Sequence, residues 1–308
     1  MRVCAMDIGS NSVRCLIADV ARGGRISPVE RGLEITRLGE GIGTNRTISP
    51  EAAERTAAAV ERYIALGRRA RAERFLLFGT AILREAENAR SFTDRVRGKT
   101  GQEIRILSGE EEAALAYRGV TRALSPPPTD ALVIDIGGGS VEFIIPSEKG
   151  NPSFRSIPLG CVRMTERFLH ADHPGADELA SLREYVARTL EREMPKGDAP
   201  PSRLFGAGGT ITAAAALTLG LARYEPEKIH GCAVSLAQVA GLIAKLSAMP
   251  LDARRKVPGV EKKRADIIVA GLIVLRGIME FYRLNKITVS DEGILHGAIL
   301  ESFDRRCI

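Results

Sequence analysis

Two short stretches of this sequence carry nearly the same residues in the same order. Asp-Ile-Gly-Ser-Asn-Ser-Val-Arg runs over 7–14, and Asp-Ile-Gly-Gly-Gly-Ser-Val-Glu over 135–142. The offset is constant at 128 residues, so Asp7 falls on Asp135, Gly9 on Gly137, Ser12 on Ser140 and Val13 on Val141. Glycines let a backbone approach a phosphate closely and aim N–H groups at its oxygens. An aspartate beside them can organise a hydrated metal ion or a water. A third glycine-rich stretch, Leu204-Phe205-Gly206-Ala207-Gly208-Gly209-Thr210, leads into a helical pattern at Ile211–Leu219. A helix N-terminus beneath a glycine loop is an anion site. Any one of these loops could be an ordinary tight turn; three in this order point to phosphate chemistry.

The elements around the loops follow from hydrophobic patterning. Val3–Met6 and Val13–Val20 read as strands joined by a glycine turn, and Leu132–Ile134 with Val141–Ile145 read the same way. Two such hairpins in register, each opening half of the chain, imply a duplicated domain. Ser125-Pro126-Pro127-Pro128-Thr129-Asp130 excludes helix and central strand and marks the boundary. The expected domains are 1–124, joined by a C-terminal helix at 293–308, and 125–292.

Helices are expected at 50–71, from 108 to about 124, and at 176–193, 236–247 and 262–282. Strands are expected at 74–79, 103–107, 203–205 and 287–290. This alternation predicts an α/β fold with a largely parallel core.

Composition narrows the classes. The 308 residues are 44% hydrophobic and 27% charged, as expected of a globular protein, and no apolar run approaches the roughly 20 residues a membrane span requires. The first residues lack a signal-peptide layout, so a cytoplasmic location is expected. Cys4, Cys15, Cys161, Cys232 and Cys307 show neither metal-ligand nor redox spacing and read as reduced structural thiols.

Of the net charge of +6, residues 1–124 carry +5, with 21 Lys/Arg against 16 Asp/Glu. That imbalance suits an anionic ligand. Aromatics are only 5% and no basic stretch is interleaved with them, so DNA is not the expected partner. Lys262-Lys263-Arg264 would place three cations at a helix start, against the helix dipole; a bound polyanion or a solvated basic face would account for them. His170 and His173 complete no metal pattern and read as a surface loop.

Twin Asp-x-Gly hairpins followed by a glycine loop resemble the sugar kinase–heat-shock chaperone–actin superfamily. Closer still, the chain resembles short, two-domain members of the Ppx/GppA (exopolyphosphatase/guanosine pentaphosphate phosphatase) family. The resemblance rests on the two hairpin motifs, on Leu-Ser-Gly-Glu-Glu-Glu-Ala at 107–113 and on Gly-Ala-Gly-Gly-Thr at 206–210. Lesser echoes are Thr36–Gly41, Thr80–Asn88, His230-Gly231 and Val289-Ser290-Asp291. The resemblance implies two duplicated ribonuclease H-like domains with an interdomain cleft.

It also implies roles. Glu110, Glu111 and Glu112 would by themselves read as complements to a helix dipole; the resemblance singles out Glu112 as catalytic base. Arg14 and Glu142 occupy the same hairpin position. The implied division of labour has Arg14 clamping the terminal phosphate while Asp135 and Glu142 hold Mg²⁺ or another divalent cation, although Arg14 also reads as an exposed strand charge.

Asp7, Gly9, Ser10, Asn11, Ser12, Gly137, Gly138, Gly139, Ser140, Gly208, Gly209, Thr210 and Arg264 are the implied phosphate binders. Asp7 could equally be only a turn-former, and Arg84 would line the cleft. His296 stands where the family commonly shows Arg-Glu. The expected reaction is release of the terminal phosphate of polyphosphate, preferred over that of pppGpp because the chain ends at Ile308 without the further helical domains of longer members. A kinase of the superfamily and a non-catalytic (p)ppGpp sensor are the rivals. A homodimer is expected from the family.

Overall fold

The computed structural model describes residues 1–42, 46–122, 130–145, 152–194 and 201–304. The proline-rich connector through Thr129, and Cys307, lie outside the described residues. The chain divides into two compact units, Met1–Arg122 with Gly293–Ile308, and Ala123–Glu292.

The first unit runs β1 (Arg2–Ile8), β2 (Ser12–Val20), β3 (Ile26–Ile35), α1 (Pro50–Arg69), β4 (Arg74–Gly79), α2 (Ala81–Glu85), α3 (Ala89–Thr100), β5 (Ile104–Ile106) and α4 (Gly109–Arg122). The second runs β6 (Ala131–Ile136), β7 (Val141–Ile145), β8 (Ser153–Ile157), α5 (Cys161–Phe168), α6 (Ala176–Glu193), β9 (Arg203–Ala207), α7 (Gly209–Thr218), α8 (Pro226–Ile229), β10 (Ala233–Ser235), α9 (Leu236–Ser247), α10 (Leu251–Arg254), α11 (Ile268–Phe281) and β11 (Lys286–Val289). The final helix, α12 (Ile294–Asp304), belongs to the first unit.

The sheets repeat one plan. Strand order is β3-β2-β1-β4-β5 in the first unit and β10-β11-β9-β6-β7-β8 in the second, so β3, β2, β1, β4 and β5 correspond to β8, β7, β6, β9 and β11. The largely parallel core expected from the alternation is mixed in each unit. β1–β4–β5 and β6–β9–β11 run parallel, but the opening meanders β1–β2–β3 and β6–β7–β8 are antiparallel, as is β10–β11. A strand that returns through a tight glycine turn can only pair antiparallel.

In the first unit both faces of β1 and β2 are covered, which is why their residues are almost all buried rather than alternating. Cys4, Met6, Ile8, Cys15 and Ile17 pack with Val60 and Ile64 of α1. Val3, Ala5, Leu16 and Ala18 pack with Ile299, and with Leu295 and Phe303 at helical spacing on α12. In the second unit β6 is buried along its length, and α11 buries ten residues in the core it shares with α6, α7 and α9.

Several expected bounds shift. β9 extends to Ala207, and β5 is confined to Ile104–Ile106. The helix expected over 262–282 begins only at Ile268; Lys262–Arg264 form a separate 3-10 turn. β3, β8, β10 and α5 have no counterpart among the sequence expectations. β3 is an edge strand with mostly exposed residues, so it lacks the apolar alternation that marks a strand. Cys4, Cys15 and Cys161 are buried free thiols, and His170 and His173 are exposed in a loop. Among the described residues no helix is long and apolar enough to cross a membrane.

Candidate active site

In the first unit, Gly9 N–H donates to the Ser12 carbonyl (3.0 Å) and closes the turn between β1 and β2. Thr36 and Arg37 N–H groups donate to Asn11 O, and Gly39 N–H to Ser10 O (2.8 Å). The carbonyl of Ser10 therefore faces the 36–39 segment. Peptide planarity sends the N–H of Asn11 to the opposite side.

Asp7 and Arg14 face each other across the hairpin. Arg14 Nε and Nη2 both donate to Asp7 Oδ2, at 2.9 and 2.6 Å. Asp7 is buried while the Arg14 side chain is about a third exposed. The pair is neutral, and it fixes a guanidinium at the hairpin.

Glu112 stands in the first turn of α4, its carboxylate paired with Arg84 Nη1 at 2.7 Å. Arg84 Nη1 also donates to the Leu107 carbonyl (2.9 Å), so the cation is itself anchored. The Glu112 side chain is 13% exposed. Its neighbour Glu111 has a different task. Ser108 N–H donates to Glu111 Oε2 (2.8 Å) and Glu111 N–H to Ser108 Oγ (3.1 Å), a reciprocal cap of α4. The Ser108 N–H, and then the Arg105 guanidinium, hold the Glu111 carboxyl below the usual carboxylate range.

A folded pKa below the unfolded one gives stability that is complete above the unfolded value, about 4.3, and is lost as pH falls through the folded value. Glu111→Ala is accordingly expected to lower Tm modestly at neutral pH, because the carboxylate is nearly half exposed and solvent screens its contacts. The difference from wild type, read as thermal unfolding, shrinks as the carboxyl protonates in acid.

In the second unit the same turn recurs, with Gly137 N–H donating to Ser140 O at 3.0 Å. Here the buttress is the N-terminus of α5. Cys161 N–H donates to Gly137 O (3.0 Å), Val162 N–H to Gly138 O (3.0 Å), and Gly160 N–H and Arg163 Nε to Gly139 O (3.3 and 3.0 Å). Three successive carbonyls are thus tied to one side, and the N–H groups of Gly138, Gly139 and Ser140 are turned to the other. Such a run of amides is an anion-binding concavity. Gly160 has to be glycine, because a Cβ there would collide with the Gly138 and Gly139 backbone. Gly160→Ala is expected to cost about 1–3 kcal/mol of stability by overpacking, measurable as a lowered Tm, together with a fall in activity as the loop is displaced.

Asp135 and Glu142 face each other across β6 and β7, where the first unit has Asp7 and Arg14. Both are buried, Glu142 at 1% exposure. Glu142 Oε1 accepts from Ser140 Oγ (2.6 Å) and Ser156 Oγ (2.8 Å), which fix the carboxylate's orientation. Two buried carboxylates at facing positions call for positive charge. Their all-oxygen donor set suits Mg²⁺, which is commonly held by one or two carboxylates with waters and substrate oxygens completing the shell. Among the described residues no group of three or more His, Cys, Asp or Glu gathers into a metal cage.

The Gly208–Thr210 loop meets Asp135 of this pair. Gly208 has φ +94°, and a Cβ there would strike Asp135 Oδ1. The Arg264 guanidinium lies directly over Gly209, the first residue of α7. Thr210 is buried against Cys161 and Gly271. Burial pushes the Cys161 thiol up despite nearby Arg264, so it is a packing group and not a nucleophile. His296 is buried in α12.

The structure therefore gathers, within the second unit, Asp135, Glu142, Gly137–Ser140, Gly208–Thr210 and Arg264. Within the first it joins Asp7 to Arg14 beside Gly9–Ser12, and Glu112 to Arg84. Sequence reasoning missed Gly160–Arg163 and Ser156. Gly160 ahead of a short amphipathic stretch was the one available signal for α5.

The profile of the Ppx/GppA phosphatase family matches residues 16–306. The chain is 34% identical over 312 residues to exopolyphosphatase 2 of Mycobacterium tuberculosis, covering 97% of this chain and 98% of the relative. The crystal structure of the Aquifex aeolicus member of the Ppx/GppA family is similar with a TM-score of 0.82 at 30% identity, covering 99% of this chain and 98% of that one. An exopolyphosphatase structure from Cytophaga hutchinsonii gives a TM-score of 0.90 at 25% identity, with 99% and 98% covered.

Proposed function

Because the chain belongs to the Ppx/GppA phosphatase family, we propose that it hydrolyses the terminal phosphoanhydride bond of inorganic polyphosphate, releasing orthophosphate, with Mg²⁺ as the required cation. The observation that carries this reading is the pair of hairpin loops whose carbonyls are tied back and whose amides face outward. The M. tuberculosis relative, matched over nearly its full length, bears the name exopolyphosphatase and supports the choice of substrate.

Hydrolysis of a phosphoanhydride needs positioning, charge neutralisation and an in-line water more than covalent help. Glu112 accepts a proton from the attacking water, and the Arg84 contact holds the carboxylate in one orientation. The water oxygen bonds to the terminal phosphorus as the bridging P–O bond breaks, leaving the chain one phosphate shorter. The groups offered to phosphate oxygens are Arg14, held by Asp7, and the Asn11 amide in the first unit, and the amides of Gly138, Gly139 and Ser140 in the second. Gly208, Gly209, Thr210 and Arg264 take the neighbouring phosphates. Asp135 and Glu142 would hold Mg²⁺, which when bound offsets phosphate charge.

The test is Mg²⁺-dependent release of phosphate from polyphosphates of defined length, pppGpp and ATP. Release from polyphosphate above the others is expected. Release from pppGpp alone would replace the substrate, and no release from any of them would overturn the reading.

A further inference from the structure

The ten residues after α10, 255–264, contain five cations, Arg255, Lys256, Lys262, Lys263 and Arg264, against one anion, Glu261. Arg254 ties the base of this loop. It is buried, its Nε donates to Met249 O and its Nη1 to Ala265 O, both at 3.1 Å, and its Nη2 donates to the Asp172 carbonyl. The loop is thus closed at both ends by one guanidinium and is not a free tail.

Two contacts lay the loop along α7. A Cβ on Gly259 would stand 3.2 Å from the backbone of Ala216 and Leu217, near the helix C-terminus. At the other end Arg264 covers Gly209. The stretch 259–264 therefore runs the length of α7, about 15 Å, back to the Gly208–Thr210 loop, with exposed Lys262 and Lys263 next to Arg264. Lys262, Lys263 and Arg264 share a 3-10 turn separate from α11, so they do not stand against that helix's N-terminal dipole. Arg255 pairs with Asp252 (2.8 Å), whereas neither Lys256 nor Lys262 forms an ion pair among the described residues. Crowded cations repel, and a polyanion relieves that repulsion. No aromatic side chain stands on the loop to stack a base, which disfavours nucleic acid.

We propose that this loop is a track for the phosphates following those held at the Gly208–Thr210 loop, and that Lys262 and Lys263 set a preference for long polyphosphate over short. The inference rests on the polyphosphate reading above.

Titration of wild type, Lys262→Ala/Lys263→Ala and Lys262→Glu with long-chain polyphosphate and with tripolyphosphate tests it. The ratio of long-chain to short-chain affinity is expected to fall about tenfold in the double variant, with a shallower dependence on salt, and to fall also in Lys262→Glu. An unchanged ratio, or equal losses for both ligands, would overturn the track. Single-stranded RNA binding as tightly, with the same lysine dependence, would make the loop a nucleic-acid site instead. Turnover measured in parallel on wild type keeps the two claims apart. Absent phosphate release removes the hydrolase reading while the affinity ratio still decides the loop, and normal release with an unchanged ratio removes only the loop.

Discussion

Glu112→Gln is expected to lower kcat for phosphate release by about 10²–10⁴, the usual worth of a positioned general base, while KM for polyphosphate stays within a few-fold. The substitution keeps the shape of the side chain and one carbonyl oxygen that can still accept from Arg84. What it removes is the capacity to take a proton from water. Because the Arg84 guanidinium is also bound to the Leu107 carbonyl, it stays in place when its charged partner is gone. The packing of α4 is therefore expected to survive, and Tm should change little. Steady-state kinetics alongside thermal unfolding separates the cases: equal losses in kcat and Tm would make Glu112 a structural ion pair, and undiminished turnover would remove it as the base.

Asp135→Asn is the second large effect. At a fixed, subsaturating Mg²⁺ concentration, activity is expected to drop by about 10²–10³, with part of the loss recovered as Mg²⁺ is raised. The physical reason lies in the comparison of the two hairpins. Asp7 faces Arg14 and forms a neutral pair, whereas Asp135 faces a second buried carboxylate, Glu142. The same backbone therefore presents a guanidinium in one unit and two carboxylates in the other. Neutralising Asp135 halves the charge that attracts the metal. A Mg²⁺ titration of activity with wild-type midpoint would overturn the assignment of the metal to this pair.

The sequence by itself was informative wherever the determinant is local. The glycine turns at Gly9 and Gly137 and the apolar strands flanking them are set by residues within about ten positions, and the 128-residue repeat made each a check on the other. The helices at 176–193 and 236–247 matched for the same reason. Ser235 caps the latter with its own side chain, and Glu178 closes the N-terminus of the former by accepting from the Gly175 N–H. Membership of the phosphatase family was equally legible, because its motifs are contiguous.

Only the tertiary structure decided what makes those loops receptive. A loop presents its amides when something else takes its carbonyls, and the partners are far along the chain: Thr36–Gly39 for the first loop, Gly160–Arg163 for the second. Pairings such as Arg84 with Glu112, and the placement of Arg264 over Gly209, join residues 28 and 55 positions apart. No periodicity records such contacts, since each is fixed by how helices pack on a finished sheet. The 262–264 cations show the limit most clearly. Their charge pattern suggested a helix start, yet the fold places them in a separate 3-10 turn next to Ala265, whose carbonyl accepts from the buried Arg254 guanidinium, a contact no local pattern records.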